Sequence, residues 1–245
     1  IVSMEYGYGM HGQPVAGGFH VRSYAHNVVL ADGKSQFGAI SPVQVGELRE
    51  SHSEETLQWI DADSSRIYKD IYMRRTLFTT DFGIVDLYLS RADKEHQYDW
   101  MFHYFGEAKP EALTLRPEED TSVTLFAIPM NENGGSEIDY LMLSRNAKST
   151  VFATVQEPWW ASTASKVREN LRMHVRAIGK QVPDHEATAL HVKLIDGTRR
   201  IFFVNCSSGE KLSAKSPPTP MSPLGKLPRT APLKTQSKGA LLKMR

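Results

Sequence analysis

The residue types best suited to chemistry lie together in the stretch YAHNVVLADGKSQ, from Tyr24 to Gln36. His26 and Asn27 lead into the apolar run Val28–Leu30, whose β-branched residues predict a strand. Asp32–Gly33 follows, a dipeptide typical of a tight turn with positive φ. The imidazole and the amide therefore lie at the start of a strand and face whatever binds above the sheet. A neutral imidazole there can bind a metal or a carboxylate, or it can simply bond a backbone carbonyl.

A second group of candidates precedes this stretch, in a segment rich in glycine. Glu5 offers a carboxylate. Tyr6 and Tyr8 alternate with glycine and would point the same way on an extended chain. Loops held by a rigid sheet are favoured places for binding groups. The segment is therefore predicted to run beside the Tyr24–Gln36 strand.

Arginine side chains are the candidates for contact with an anionic ligand. Arg22, Arg74 and Arg75 can each make a bidentate contact with a carboxylate or a sulfate. Arg74 and Arg75 are neighbours on a predicted strand and so point to opposite faces of a sheet. At most one of them can therefore serve a given cleft. Trp159–Trp160 could stack on sugar rings, although packing in the core and at its edge is the commoner role of such a pair.

The elements that must position these groups are strands. From Thr56 onward, short apolar or alternating segments are separated by Gly, Pro, Asp, Asn or Ser, a rhythm that predicts an all-β chain. The predicted strands are Leu57–Trp59, Ile67–Thr79, Gly83–Leu89, Tyr98–Phe105, Val123–Ile128, Ile138–Leu143, Val151–Val155, Met173–Ile178, Leu190–Ile195 and Arg200–Asn205. Asp196–Gly197 predicts a type I′ turn between the last two.

Helical signal is thin. Ser162–Leu171 is the best helical candidate and could equally be a loop. Crossover helices of ten or more residues are lacking, so a parallel sheet is disfavoured. We therefore expect an antiparallel β-sandwich, two sheets packed face to face.

Charge divides the chain into two parts. Of the 29 Lys and Arg and the 28 acidic residues, eight basic residues and Glu210 lie in 207–245, which leaves 21 basic and 27 acidic residues in 1–206. Such an acidic body disfavours binding to nucleic acid, because affinity for a polyanion rests on basic side chains. Residues 207–245 hold six of the 13 prolines and show no apolar periodicity. We therefore predict a β-sandwich domain over 1–206 and a disordered, basic, Pro-rich tail over 207–245.

Several classes of protein are disfavoured by what the sequence lacks. Cys206 is the one cysteine, so an intramolecular disulfide and a multi-cysteine zinc site are excluded. No apolar run approaches the length of a membrane helix, and no membrane span is expected. No Walker loop, dinucleotide fingerprint, nucleophile elbow or HExxH motif occurs, and no nucleotide cofactor is expected. Ile1 opens an apolar stretch without an initiator Met, so we expect a fragment of a longer protein.

Two ordered blocks of the chain resemble one protein family. Tyr24–Gln36 resembles the AHNTVxVDGxxQ signature of the heparinase II/III-like polysaccharide lyases, which include the oligoalginate lyases, with Val28 where Thr is usual. Arg74–Glu107, RRTLFTTDFGIVDLYLSRADKEHQYDWMFHYFGE, is similar to a later segment of the same family, in which an Arg-led apolar strand and a VD strand precede DWxxH. The resemblance is good over residues 1–107, diffuse to Cys206 and absent beyond.

The resemblance implies a metal site. In these lyases a metal in the β-sandwich is held by the His of the AHN block, which His26 matches, and by an Asp of an upstream DxG segment, where this chain has Glu5. A further His ligand normally lies further upstream and has no match here. The implied metal is a structural divalent cation, zinc or calcium.

The resemblance also implies catalytic and substrate-binding residues. The family draws one catalytic tyrosine from the segment that here holds Tyr6, Tyr8 and Tyr24, and we take Tyr8 and Tyr24 as the candidates. Such a phenol protonates the leaving glycosidic oxygen while a base removes the proton α to the carboxylate. Asn27, Arg22 and His103 are the candidates for binding the substrate.

His103 has an alternative role as a buried sheet histidine. In the segment Trp100–Phe105, alternation places Trp100, Phe102 and Tyr104 on one face of a strand. Met101, His103 and Phe105 lie on the other face. The family places this segment near the interface with another domain, which favours a functional role.

The family implies a two-part enzyme, in which an N-terminal α/α toroid supplies most of the eliminating residues and a sandwich closes the cleft. This chain matches the sandwich, so we expect the C-terminal domain of a lyase that cleaves a uronic-acid-containing polysaccharide and is inactive alone. Expected partners are an acidic polysaccharide or oligosaccharide and the toroid, and the expected location is periplasmic or secreted. The alternatives are a non-catalytic carbohydrate-binding sandwich and a cupin-like metal enzyme.

Overall fold

A computed structural model of the chain describes residues 19–36, 46–55, 57–104, 120–129, 137–157, 167–173, 176–177, 180–181, 186–206 and 239–244. These residues form thirteen strands and one short 3-10 turn, Ser23–Ala25, and they contain no α-helix. All described strand pairs are antiparallel. The prediction of an all-β, antiparallel fold is confirmed.

Seven strands form the larger sheet. They are β1 (Val29–Ala31), β2 (Glu47–Ser53), β3 (Leu57–Tyr68), β4 (Ile71–Thr80), β5 (Ile84–Tyr104), β6 (Ser122–Pro129) and β7 (Glu137–Gln156). Their order is β2-β3-β4-β5-β7-β6, and β1 pairs with the second half of β5. β5 and β7 each span two segments that the sequence pattern predicted as separate strands. A β-bulge between Arg91 and His96 joins the two halves of β5.

The smaller sheet has four strands, β8 (Val167–Met173), β11 (Ala187–Leu194), β12 (Arg199–Asn205) and β13 (Gly239–Met244), in the order β13-β12-β11-β8. β9 (Arg176–Ala177) and β10 (Lys180–Gln181) pair with each other. The helical candidate was wrong for residues 167–171, which pair with β11, because tertiary strand pairing overrides weak helical propensity.

Part of the predicted tail is also a strand. Gly239–Met244 pairs with residues 199–204 of β12, which differs from the disorder expected there. The run Ala240–Leu242 is apolar, and the edge of β12 offers unpaired backbone groups for such a run. Residues 207–238 lie outside the described residues.

The main core lies between the two sheets. Alternate apolar side chains of β3, β4, β5 and β7 meet side chains of β8, β11 and β12. The buried members are Trp59, Phe78, Phe82, Val85, Leu87, Leu89, Val151, Val155, Val167, Leu190, Val192, Leu194, Phe202, Val204 and Cys206. Because each sheet contributes one apolar face to a shared core, the architecture is a β-sandwich.

The two Asp–Gly dipeptides form different turns. Asp32 and Gly33 both have positive φ, 54° and 63°, and the Lys34 N–H donates to the Ala31 carbonyl at 3.0 Å, as predicted for a tight turn. The hairpin between β11 and β12 is confirmed, but its type I′ turn was wrong. Only Gly197 has positive φ, 85°, and the Gly197 N–H donates to the Leu194 carbonyl at 3.0 Å. These features define a three-residue loop with a glycine bulge.

The second half of β5 has two buried faces. Trp100, Phe102 and Tyr104 stack along one face, with ring centroids 5.5 and 6.0 Å apart, in a second cluster that includes Leu141 and Leu143 of β7. Met101 belongs to a third cluster on the opposite face. The predicted alternation is confirmed, and it places His103 under the segment that carries the candidate site. Among the described residues, no helix is long and apolar enough to cross a membrane.

Candidate functional site

The candidate site is built on the segment Phe19–Val28, which covers one face of β5 and β7. Ala25 is fully buried, and the rings of Phe19 and Tyr24 lie 5.1 Å apart beside Tyr140 of β7. These contacts place the segment in the third apolar cluster. The apolar side chains therefore anchor the segment to the sheet and leave its polar residues at defined positions.

The 3-10 turn Ser23–Ala25 shapes the segment. The Ala25 N–H donates to the Arg22 carbonyl and the His26 N–H donates to the Ser23 carbonyl, both at 3.0 Å. His26 has extended backbone, with φ −127° and ψ 157°. The chain therefore leaves the turn at His26, enters β1 through Asn27, and carries both side chains to the mouth of a strand, as predicted.

Asn27 and His103 are locked together beneath this turn. Asn27 Oδ1 accepts the His103 backbone N–H at 2.7 Å and lies 2.8 Å from His103 Nδ1. His103 Nε2 lies 3.1 Å from the Tyr24 carbonyl oxygen. Each ring nitrogen therefore lies within hydrogen-bond distance of an oxygen, and the tautomer of the ring decides which of the two nitrogens donates. Asn27 is 7% exposed and His103 is 0% exposed.

Arg75 connects the same segment to the middle of the larger sheet. Its Nε and one terminal nitrogen donate to the two oxygens of Asp86 at 3.1 and 2.7 Å, and its other terminal nitrogen donates to the Asn27 carbonyl at 2.7 Å. Arg74 points to the opposite face, where it pairs with Asp61 and reaches the Asn205 carbonyl of the smaller sheet. The prediction that Arg74 and Arg75 point to opposite faces of a sheet is confirmed.

His20 is a candidate that the sequence analysis missed. It is 5% exposed, and burial, together with the charge of His26, lowers the pKa of its imidazole. Its neighbours Phe19 and Val21 make it resemble an ordinary core histidine. The influence of His26 on the pKa of His20 indicates that two imidazoles lie near each other in the segment.

The described residues do not assemble a complete metal site. No group of three or more His, Cys, Asp or Glu side chains converges within the described part of the chain. His26 is partly exposed and offers one imidazole, whereas Glu5, the proposed carboxylate ligand, lies outside the described residues. Of the two residues proposed to hold the metal, only His26 therefore lies within the described part of the chain.

The remaining candidates have varied positions. Arg22 is exposed, and Tyr24 is partly buried against Phe19. Tyr6, Tyr8 and Trp159–Trp160 lie outside the described residues. The structure therefore brings four of the predicted site residues together. Tyr24, His26 and Asn27 lie in the segment, and His103 lies on β5 beneath it. Arg22 is exposed at the start of the 3-10 turn.

Comparison with solved structures identifies the fold. The chain resembles a mutant heparan sulfate lyase from Pedobacter heparinus with a TM-score of 0.60 and 9% identity, covering 83% of this chain and 34% of that one. It resembles a heparinase III with methylated lysines with a TM-score of 0.55 and 13% identity, covering 83% and 33%. The chain thus spans about a third of the length of these lyases and shares the fold of that part. These neighbours give no support to the alginate part of the expectation.

Sequence comparisons add no closer relative. No family model matches the chain, and no curated protein matches it. At 9–14% identity the likeness to the lyases is one of fold. The solved structures that share the fold are heparan sulfate lyases, members of the enzyme class whose signature the two sequence blocks resemble.

Proposed function

We propose that this chain is the sandwich domain of a polysaccharide lyase that cleaves a uronic-acid-containing polysaccharide by β-elimination. The observation that carries the proposal is the lock between Asn27 and His103, since it fixes the segment that resembles the lyase signature onto the strand that carries the second resembling block. The likeness of the fold to heparan sulfate lyases supports the same class.

The proposed reaction gives each candidate residue a separate role. Elimination needs a base for the proton α to the carboxylate, an acid for the leaving glycosidic oxygen and a neutraliser for the carboxylate charge. We assign the acid to Tyr24 or Tyr8. The Asn27 amide and the exposed Arg22 guanidinium are assigned to the substrate carboxylate. His103 is too buried to be the first contact of a polymer, and its proposed part in substrate binding is to hold Asn27.

The proposed metal is a structural divalent cation, zinc or calcium, held by His26 and Glu5. When bound, it would brace the glycine-rich segment against the strand mouth. Metal analysis of the purified chain tests this part independently of activity. No step of the elimination is assigned to the metal.

The rest of the proposal concerns partners and location. An N-terminal toroid is proposed to complete the cleft, because the chain spans about a third of the length of the lyases that share its fold. The proposed substrate is an acidic polysaccharide or oligosaccharide, and the proposed location is the periplasm or the exterior of the cell. The isolated chain should then be inactive or nearly so.

The test follows elimination through the ultraviolet absorbance of the unsaturated product. The chain joined to a toroid domain should cleave heparan sulfate or another polyuronate, whereas the chain alone should not. His26→Ala should reduce the rate of the joined protein by about 10- to 100-fold, the range expected for a lost ligand or its support. His52→Ala is the matched control, because His52 lies on β2 outside the segment, where it pairs with Glu54 and stacks on Trp59.

The contrary outcomes point to defined alternatives. If the joined protein cleaves none of the polyuronates, the lyase proposal fails. Glycan binding by the isolated chain without any elimination in the joined protein would favour a carbohydrate-binding sandwich. If His26→Ala keeps full activity, His26 is a structural histidine and the metal assignment is lost.

A further inference from the structure

Arg75 makes three directed contacts that join the sheet to the candidate site. Its guanidinium forms a bidentate pair with Asp86 and donates a third hydrogen bond to the Asn27 carbonyl at 2.7 Å. The ring of Tyr88 lies under the guanidinium carbon at 5.3 Å. A planar group held on one edge by a carboxylate and on one face by an aromatic ring has little freedom to rotate. Its remaining edge therefore aims at Asn27 with a fixed direction.

The partner that aims Arg75 is itself fixed. Asp86 is 0% exposed and lies in the middle of the larger sheet, where β5 pairs with β4 on one side and β7 on the other. A buried carboxylate needs a cation and hydrogen bonds to offset its lost hydration. Arg75 supplies both, although its own side chain is 27% exposed. The pair is thus anchored at Asp86 and reaches outward to the segment.

Arg75 contacts the backbone of Asn27, and the side chain of Asn27 belongs to the candidate site. Arg75 holds the Asn27 carbonyl, while Asn27 Oδ1 holds both the backbone N–H and Nδ1 of His103. The residue before Asn27 is His26, and the residue after it leads into β1. A change in the Asn27 peptide therefore changes the direction of the Asn27 amide and the position of the strand mouth together.

We propose that Arg75, aimed by Asp86, is a positioning residue that sets the conformation of Asn27 and through it the His103 ring. The inference rests on the proposed function only where it concerns substrate. Arg75 is not assigned a contact with the polysaccharide. Its role is to hold the amide that receives the carboxylate.

Arg74 provides a matched control on the adjacent position of β4. It too forms a bidentate pair with an aspartate of a neighbouring strand and donates a third bond to a backbone carbonyl, that of Asn205. Its contacts all lie on the face toward the smaller sheet. Arg74→Lys and Arg75→Lys therefore remove the same fork geometry, but only the second removes it beside Asn27.

The first measurement uses the 245-residue chain and does not depend on activity. Nitrogen-15 NMR of the His103 ring reports the protonation and hydrogen bonding of Nδ1 and Nε2. Arg75→Met and Asp86→Asn should shift these resonances, Arg75→Lys should shift them less, and Arg74→Lys should leave them unchanged. If either Arg75→Met or Asp86→Asn fails to fold, Arg75→Lys remains informative. Unchanged His103 resonances in all folded Arg75 and Asp86 variants would overturn the proposal.

The second measurement uses the chain joined to a toroid and separates kcat from KM. Displacing a binding group by about 1 Å can cost roughly 100-fold in rate, so Arg75→Met should lower kcat/KM by about 10- to 100-fold, with partial recovery in Arg75→Lys. Arg74→Lys should stay within about twofold at a temperature where it is folded. If Arg74→Lys and Arg75→Lys lower kcat/KM equally, Arg75 has only a structural role. An inactive wild-type protein would defeat the proposed function, while the NMR result would still decide the positioning role.

Discussion

Arg74 and Arg75 are adjacent on β4, yet their guanidinium groups bind buried aspartates on opposite faces of the larger sheet. Arg74 pairs with Asp61, and both side chains are 2% exposed. Arg75 pairs with Asp86, which is 0% exposed. Because side chains alternate along a strand, one arginine serves the junction between the sheets and the other serves the candidate site. Two adjacent residues of β4 therefore hold the junction between the sheets and the candidate site.

Breaking the Arg74 pair should strongly destabilise the sandwich. Arg74→Leu leaves Asp61 and the Asn205 carbonyl without their partner in the core between the sheets, and an uncompensated buried charge typically costs about 3–5 kcal/mol. Urea unfolding followed by tryptophan fluorescence measures the loss.

The double variant Arg74→Leu with Asp61→Leu is the control for this prediction. It removes both charges, and replacing a buried ion pair by apolar residues is often nearly neutral. The double variant should therefore be more stable than Arg74→Leu alone. If the two variants have the same free energy of unfolding, the uncompensated charge is not the cause of the loss.

Gly83 should tolerate no side chain, whereas Gly33 should tolerate one at modest cost. Gly83 has φ 148°, and a Cβ there would overlap the carbonyl oxygen of Gln156 on β7. Gly33 has φ 63° and no heavy atom within 4 Å of a Cβ. Gly83→Ala should cost about 3 kcal/mol or more, since strained backbone and a clash combine. Gly33→Ala should cost about 1 kcal/mol for its left-handed conformation.

The two glycine variants are compared by thermal melting under identical conditions. Their difference combines the clash at Gly83 with the greater backbone strain of a side chain at φ 148° than at φ 63°. A Gly33→Ala variant that is as unstable as Gly83→Ala would show that the turn at Asp32–Gly33 is more constrained than its open surroundings indicate.

Local patterns predicted most of the fold. Alternation in Trp100–Tyr104 gave the correct faces, and the Asp32–Gly33 turn has the predicted positive φ. Predictions failed where pairing with distant residues decides the outcome. Residues 167–171 became a strand because β11 offers an edge. The polar middle of β5 lies between pairs with β7 on both sides of the register shift at residues 91–96.

The candidate site was only partly predictable for the same reason. His26 and Asn27 could be singled out from their position before an apolar run, but the lock between Asn27 and His103 joins residues 76 positions apart. The role of Asp86 could not be predicted either, because the dipeptide Val85–Asp86 in an apolar strand does not indicate which residue of the neighbouring strand pairs with the carboxylate. Contacts of such separation depend on strand register, which short sequence patterns do not encode.

Acid should weaken the fold partly through Asp32. A hydrogen bond with His96, whose Nδ1 lies 2.9 Å from Asp32 Oδ2, lowers the pKa of the Asp32 carboxyl below its ordinary value of 3.8. The folded state therefore binds this proton less tightly than the unfolded chain does. The resulting stability is present above pH 3.8 and is lost as pH falls through the lowered pKa.

Asp32→Asn tests this contribution without disturbing the turn, because Asn tolerates the positive φ of 54° at this position. The free energy of unfolding of the two proteins should differ most above the ordinary carboxyl pKa of 3.8 and converge as pH falls through the lowered pKa. The Asp32 side chain is 38% exposed, so solvent screening should keep the difference below about 1 kcal/mol. A difference that grows with falling pH would reverse the sign and refute the assignment.

Cys206 should report whether the two sheets are docked. It is 2% exposed in the core between the sheets, and burial raises the pKa of its thiol to about 11. At pH 8 the native thiol should react with iodoacetamide at least about 1,000-fold more slowly than in urea, because native proteins are stable by roughly 5 kcal/mol or more. As the chain holds one cysteine, mass spectrometry reads a single labelling event. Arg74→Leu, which removes the bond to the neighbouring Asn205 carbonyl, should speed labelling, whereas Arg75→Lys should speed it much less. Labelling of the native chain as fast as that of the unfolded chain would show that the smaller sheet does not cover Cys206.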